Sequence, residues 1–474
     1  MSSTSGVKGR GRELRVLDAV VVGAGIAGLS AAWDLRDRDV LVLESADRIG
    51  GRIRSEPRDP YWLNLGAHVF AGPGSATSRL LSEVGVEAVP VPGQLAAIEL
   101  NGRILVGGRP ELYPFRLPLT TAERFALIRA GMRLRRAVAK YERVGAPRVG
   151  ESPASTRRRV LAFGDDRTFG DWLGSLPGDA DALFRATVTR STAELDEVSF
   201  GHGAGYFALV WSSSGGLSRN IIGGSGRLID GLAAGLPRSI VTGAEVLEVT
   251  ERDGLVHVRY RSEGAEHEVR AQRAVVATKA FEAARLVTGL PGETREALDA
   301  IPYGPTLVMA ILTRETSPMP WDNLYALATP KRAFSMLFNI ANVLRPRSPE
   351  RAPGGSLMVY RSAHAALELF DQPDRVVEQL FLESLYDVYP EARGIVAETM
   401  MLKLPRMLPY VAPGRAALQP ALERPLGRIS LAGDYLGGFY TDTAISTGQE
   451  AAKEIRSALE TNAPTPAEST AALP

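Results

Sequence analysis

The chain has 474 residues, with 55 basic against 54 acidic side chains and no cysteine. That length is about three domains' worth at roughly 150 residues each, and an apolar content of 45% is ample for a large core. A formal charge of +1 gives no electrostatic case for a nucleic-acid partner, the missing cysteine excludes disulfides, thiolate metal sites, a cysteine nucleophile and a cysteinyl-linked cofactor, and the histidines at 68, 202, 257, 267 and 364 show no metal-ligand spacing.

Residues 1–15 are polar and basic and read as a disordered leader; the Pro/Ser/Thr/Ala-rich residues 461–474 read as a disordered tail. No stretch supplies the roughly 20 strongly apolar residues of a spanning helix, so no transmembrane segment is expected and the chain is placed in the cytoplasm, with any membrane contact peripheral.

Val16–Val22 is a short β-branched run, the pattern of a strand buried on both faces of a parallel sheet. Gly23-Ala-Gly25-Ile-Ala27-Gly28 follows, then a helical stretch to Leu35, a second buried strand at Val40–Leu43, and Glu44. The three glycines have separate jobs: a tight turn, close approach of a pyrophosphate, and close packing of helix on strand. The helix start offers free N–H groups and a favourable dipole to the phosphates. Glu44 stands 21 residues after Gly23, where its carboxylate takes ribose hydroxyls and repels a 2′-phosphate, arguing against NADP. Arg48-Ile-Gly50-Gly51-Arg52 comes next; its glycines admit a ligand to the backbone, and the Arg52 fork suits a phosphate.

Together these segments resemble the flavoprotein superfamily of amine oxidases, protoporphyrinogen oxidases and carotenoid desaturases. The resemblance implies a Rossmann-like α/β FAD-binding domain built from 16–72, 223–285 and 425–460, interleaved with a mixed-sheet-plus-helices substrate domain built from 73–222 and 286–424. It implies non-covalent FAD held first by Gly23, Gly25, Ala27, Gly28, Glu44, Ser45, Gly50, Gly51 and Arg52. Leu65-Gly66-Ala67-His68 is similar to the segment beside the flavin ring, with His68 read either as a packed residue or as a catalytic one. Gly223–Ala233 begins a helix, the stretches 240–249 and 256–260 read as strands, and Ala274–Thr278 is another buried strand. By resemblance Val246 meets the adenine, although a core role is equally compatible with its residue type. Arg428–Asp434 enters a glycine turn, and a helix begins at Thr443; by resemblance Gly433 and Asp434 hold the ribityl or pyrophosphate part, and Thr443 and Ala444 meet the flavin pyrimidine edge.

On the substrate side, Thr120-Thr-Ala-Glu123 predicts a capped, basic helix through Arg136 with a solvated face. Tyr206, Phe207 and Trp211 are candidate pocket or core aromatics in a helical region, 165–222. Leu307–Leu312 is expected in a substrate-domain sheet with apolar and polar positions alternating. Amine oxidases of the superfamily carry a lysine near the flavin on the strand after a Pro-x-Gly turn; Ile301-Pro302-Tyr303-Gly304 leads instead to Val308 at that position. Tyr440 falls at one of the family's aromatic cage positions, and is read either as a substrate wall, hence catalytic, or as a turn residue. Pro409-Tyr410-x-x-Pro413-Gly414 is closer to the protoporphyrinogen-oxidase and desaturase pattern.

The expected activity is removal of a hydride equivalent from a C–N or C–C bond of a small or medium organic substrate. Electrons pass to O2 or another acceptor, an oligomer is compatible with the chain, and no metal is called for. Porphyrinogen-like or desaturase-like CH–CH dehydrogenation, a redox-neutral flavoprotein and an NAD-binding protein stand as alternatives.

Overall fold

A computed structural model describes residues 15–91, 97–211, 217–236, 240–347, 350–438 and 440–461; nearly all of the expected leader and tail lie outside it. The Val16–Val22 run pairs in parallel with Val40–Leu43 on one side and with Ala265–Val276 on the other. Its residues alternate between two cores. Ala19 and Val21 join the cluster under the first helix, Ile26–Asp34, and the closing helix, Tyr440–Thr461, whereas Val20 and Val22 join the cluster under helices Ala280–Leu286 and Gly292–Asp299. Burial on both faces is why the run has no polar alternation.

Four further strands, some with bounds other than those expected, complete this seven-stranded sheet. The run from Ile240 breaks at Thr242–Ala244: Ile240–Val241 adds in parallel to Val40–Leu43, and Glu245–Arg252 joins the antiparallel meander with Leu255–Ser262. The strand ending at Val276 starts at Ala265, and Ile429–Leu431 pairs with its last residues. The strands of this sheet come from residues 16–43, 240–276 and 429–431.

A second seven-stranded sheet is formed by Ala97–Leu100, Arg103–Leu105, Tyr303–Thr313, Ala326–Ala328, Met336–Asn339, Gly355–Ser362 and Val396–Pro409. Tyr303–Thr313 lies between two antiparallel neighbours. Leu307, Met309 and Ile311 face helix Asp374–Val388, and Val308 and Ala310 face Trp62, Leu63 and Leu65. The expected polar alternation is therefore absent here, because both faces of this central strand are covered.

Thr120 accepts a hydrogen bond from the Glu123 N–H (3.3 Å), and Glu123 accepts one from the Thr120 N–H (2.8 Å), the reciprocal cap that the sequence predicts. The helix so started, Thr121–Gly145, runs nine residues beyond Arg136. It packs with Phe169, Phe184 and Phe207 into a separate aromatic cluster. The stretch 165–222 is helical up to Trp211 and then forms the strand Leu217–Ile221.

Candidate active site

At the carboxyl end of Val16–Val22, Gly23 turns with φ +98° and its N–H reaches the Leu43 carbonyl (2.8 Å). Gly28 has no alternative: a Cβ there would lie 1.9 Å from the Gly23 oxygen and 3.2 Å from the Ala277 Cβ. Gly25 differs, since a Cβ on it would meet nothing within 4 Å. As N-cap of the first helix it supplies no side chain, and the first turn contains no acidic residue, so the helix start faces open space with its dipole uncompensated. Glu44 braces the turn, its Oε2 accepting from the Ala24 N–H (2.7 Å) and its Oε1 from the Ala46 N–H (2.9 Å). Ser45 is exposed, and Ala27 is buried with its carbonyl against the closing helix.

The Arg48–Arg52 loop folds onto this turn. Gly50 donates to the Ala24 carbonyl (2.8 Å), and a Cβ on Gly51 would stand 3.3 Å from the Gly25 Cα. Arg48 holds the loop by donating to the Ile49 and Gly51 carbonyls. Arg52 makes a forked pair with Asp434 (2.7 and 3.0 Å) and also donates to the Met407 carbonyl (2.9 Å). Its fork is thus used within the protein, joining residues 382 positions apart. Gly66 is small for an internal reason too: a Cβ would be 2.1 Å from the Arg52 carbonyl oxygen. Ala67 donates to that same oxygen (3.3 Å).

The closing helix presses on the first one, where a Cβ on Gly448 would sit 2.1 Å from the Ala27 oxygen. Gly433 donates to Thr447 Oγ1 (3.0 Å), which fixes the Asp434 turn to that helix. Thr443 and Ala444 are buried in its first turns. Asp442 was not anticipated; it caps helix Ala76–Val84 by accepting from the Thr77 N–H and hydroxyl, both at 2.8 Å. Val246 is buried in the core cluster that holds Val22 and Leu43.

Beyond this turn lies an aromatic layer. His68 stands edge-on to Phe338 (centroids 4.4 Å apart), and Phe338 stacks on Tyr360 (5.7 Å). Burial, with a smaller contribution from the Arg190 charge, holds the His68 imidazole down at about 4 despite the Gly66 carbonyl near Nδ1 (3.3 Å). The ring is therefore neutral in ordinary buffers, and its Nε2 is buried without a hydrogen-bond partner among the described residues. Asn220 ties the layer together by donating to the His68 carbonyl (2.6 Å) and the Tyr325 hydroxyl (2.8 Å). Tyr440 opens the closing helix with φ +43°, its ring edge-on to Tyr206 at 6.0 Å. Val308 is buried at this layer, paired across the sheet with Tyr360 and Leu402. Arg190, Tyr325, Phe338 and Tyr360 were not foreseen: Phe338 and Tyr360 come from different strands, Tyr325 from the residue before a third and Arg190 from a helix-to-helix turn, and no local pattern marks them. The Trp211 side chain lies outside the described residues.

A cavity of about 240 Å³ runs between helix Thr121–Gly145, helix Gly178–Val188 and the edge of the second sheet. Phe115 and Met132 are at its exposed end, whereas Phe184, Phe207 and Met336 are at its buried end. Helix Thr121–Gly145 thus lines a cavity rather than serving only as a solvated face. Among the described residues there is no group of side chains able to hold a metal ion and no helix long and apolar enough to cross a membrane.

A glycine turn feeding an uncapped helix at the carboxyl ends of parallel strands is where doubly wound sheets take dinucleotides, and this places the chain among the nucleotide-binding α/β proteins. Its family follows: residues 26–456 match the flavin-containing amine oxidoreductases, and the chain belongs to that family, with FAD as its cofactor. It is 29% identical over 250 residues to AofH of Mycobacterium tuberculosis, assigned as a flavin-containing monoamine oxidase; the match covers 49% of this chain and 51% of that one. It is 23% identical over 491 residues to the zeta-carotene desaturase of Zea mays, covering 92% and 81% of the two chains. The chain spans about half the length of AofH, and less of several other curated relatives. In fold it is similar to cyclohexylamine oxidase from Brevibacterium oxydans (TM-score 0.74, 20% identity, covering 94% of this chain and 100% of that one). A putrescine oxidase is equally similar (TM-score 0.73, 19% identity, 94% and 99%).

Proposed function

We propose that the protein is an FAD-dependent oxidoreductase that takes a hydride equivalent from a C–N or C–C bond of an organic substrate delivered through the apolar cavity. One observation carries this reading: the open space over Gly25 lies where the two ends of the chain meet, the aromatic layer around His68 adds side chains from the middle of the chain, and the cavity reaches Met336, the strand partner of Tyr360 in that layer.

The residues present fit the cofactor. Gly25 and the uncapped helix start suit a pyrophosphate, with Gly23, Ala27, Gly28, Gly50 and Gly51 keeping the approach clear and Glu44 and Ser45 at the ribose side. Arg52, Asp434 and Gly433 would border the middle of the dinucleotide. Gly66, Ala67, His68, Thr443 and Ala444 would border the flavin, and Val246 the adenine. The bound flavin supplies a two-electron acceptor that needs no protein nucleophile.

The chain's own residues position the donor and keep water out. Neutral His68 offers a lone pair or an N–H through its unpartnered Nε2, according to tautomer, and Tyr440, Tyr206 and Tyr360 wall the inner end of the substrate space. Val308 favours the second reading, CH–CH dehydrogenation, because an aliphatic side chain at that buried place neither binds a water nor carries the positive charge a lysine would bring. The proposal includes a small-molecule substrate, O2 or another electron acceptor, and a cytoplasmic protein acting alone or as an oligomer. Anaerobic bleaching of the yellow holoenzyme by amines, porphyrinogens and polyenes tests it. Bleaching by an amine selects C–N oxidation, bleaching by only the latter two selects CH–CH oxidation, and protein that binds no flavin overturns both.

A further inference from the structure

The cavity wall carries three charged side chains, Glu111, Arg135 and Arg190. Glu111 and Arg135 pair with each other at the exposed end. Arg190 sits on the short turn Thr189–Ser191, at the buried end with Phe207, Ala328 and Met336. Its charge bears on Tyr360, His68 and Tyr440, so the guanidinium lies between the cavity and the aromatic layer. Of the acidic side chains nearest in sequence, Asp181 and Glu194 pair with Arg185 and Glu197 with His364, whereas Asp196 is exposed and makes no ion pair among the described residues. Among the described residues no carboxylate is within ion-pair distance of Arg190.

A cation in an apolar cavity is costly unless an anion or a full set of acceptors meets it. The five donors of the Arg190 guanidinium form a planar fork whose geometry matches a carboxylate. The same charge repels an ammonium group, and the wall's one carboxylate, Glu111, is paired at the far end.

We propose that Arg190 is the substrate anchor and that the site takes an apolar organic acid, its carboxylate held by the Arg190 fork and its hydrocarbon part filling the cavity. This deepens the flavin-dependent reading above and rests on it. The anchor fixes specificity by orienting the donor, with the acid end at Arg190 and the reacting carbon at the aromatic layer.

The test uses the purified holoenzyme and three probes of one shape, phenylpropionate, phenylpropionamide and phenylpropylamine, with binding measured by calorimetry and by perturbation of the flavin spectrum. Phenylpropionate should bind about 10-fold or more tightly than the amide and the amine, as expected for charge-assisted hydrogen bonds. Arg190→Met should erase that preference while leaving amide affinity unchanged, and Arg190→Lys should keep part of it, since it retains charge but loses the fork. Equal binding of acid and amide to the unaltered protein overturns the proposal without any variant, as does an acid preference that survives in Arg190→Met. The visible spectrum of the same preparation separates the two readings: colourless protein sinks the flavin assignment, whereas yellow protein without acid preference sinks only the anchor.

Discussion

Gly25 and Gly28 stand three residues apart in one fingerprint, yet substitution should fail differently at each. An alanine at Gly28 drives its methyl into the Gly23 carbonyl, so Gly28→Ala should lower stability by about 1–3 kcal/mol or more and lose flavin with it. At Gly25 the backbone (φ −71°, ψ 174°) suits alanine and the space is empty, so Gly25→Ala should fold with an unchanged thermal midpoint and still bind less flavin. Flavin absorbance per chain, set beside the thermal midpoint, distinguishes these outcomes; full flavin content in Gly25→Ala would refute the pyrophosphate placement. The buried histidines act on pH dependence. Burial lowers His68 to about 4 and His202 to about 3, both from an ordinary 6.5. Between those values the unfolded chain binds more protons, so this stability is fully present above pH 6.5 and declines as pH falls toward 4 and 3. Chemical-denaturation midpoints across that window should decline on acidification, less steeply in His202→Asn. An inflection in the rate profile near pH 6.5 that disappears in His68→Asn would show that His68 is not held neutral.

Among the elements, helix Thr121–Gly145 has the clearest dependence on one junction. Glu123 closes its cap and, through Oε1, also accepts from the Asp179 N–H (2.9 Å) at the start of helix Gly178–Val188. Both helices wall the cavity, so one carboxylate sets their spacing. Thr120→Ala should cost about 1 kcal/mol, the usual loss of an N-cap. Glu123→Ala removes bonds to two helix starts and should cost more, with weaker binding of cavity ligands; thermal melts and calorimetry on the pair of variants check the order. The central strand Tyr303–Thr313 makes a related point, because its residue choice answers to two covered faces rather than to one sheet surface.

At the scale of the molecule, the chain's two ends are locked to each other through Gly448 on Ala27 and through the Arg52–Asp434 fork. Asp434 is 6% exposed on its side chain and Arg52 30%, so the pair is only partly shielded from water. Asp434→Asn leaves the guanidinium without its charge partner and should cost roughly 1.5–3 kcal/mol, together with loss of flavin, since both halves of the proposed cofactor site meet there. Guanidinium-chloride unfolding of the holoenzyme gives the first quantity and released flavin the second. Unchanged values for both would mean that the fork does not join the two ends energetically.

What the sequence alone determined is whatever short-range sterics and hydrogen bonding decide. The strand–glycine turn–helix unit at 16–35 is of this kind, because Gly23 needs its positive φ and Gly28 its bare Cα within six residues. So is the Thr120–Glu123 cap, a reciprocal bond between residues three apart. Gly66 was singled out for a flavin, but the requirement visible in the structure is the Arg52 carbonyl, which only folding brings near. The meeting of Arg190, Tyr360, His68 and Tyr440 was decided by tertiary structure. These residues lie on a helix-to-helix turn, a sheet strand, a loop and the closing helix, and the proposed anchor rests on the absence of any carboxylate beside a half-buried guanidinium among the described residues, a property of the space around a residue rather than of its neighbours in the chain.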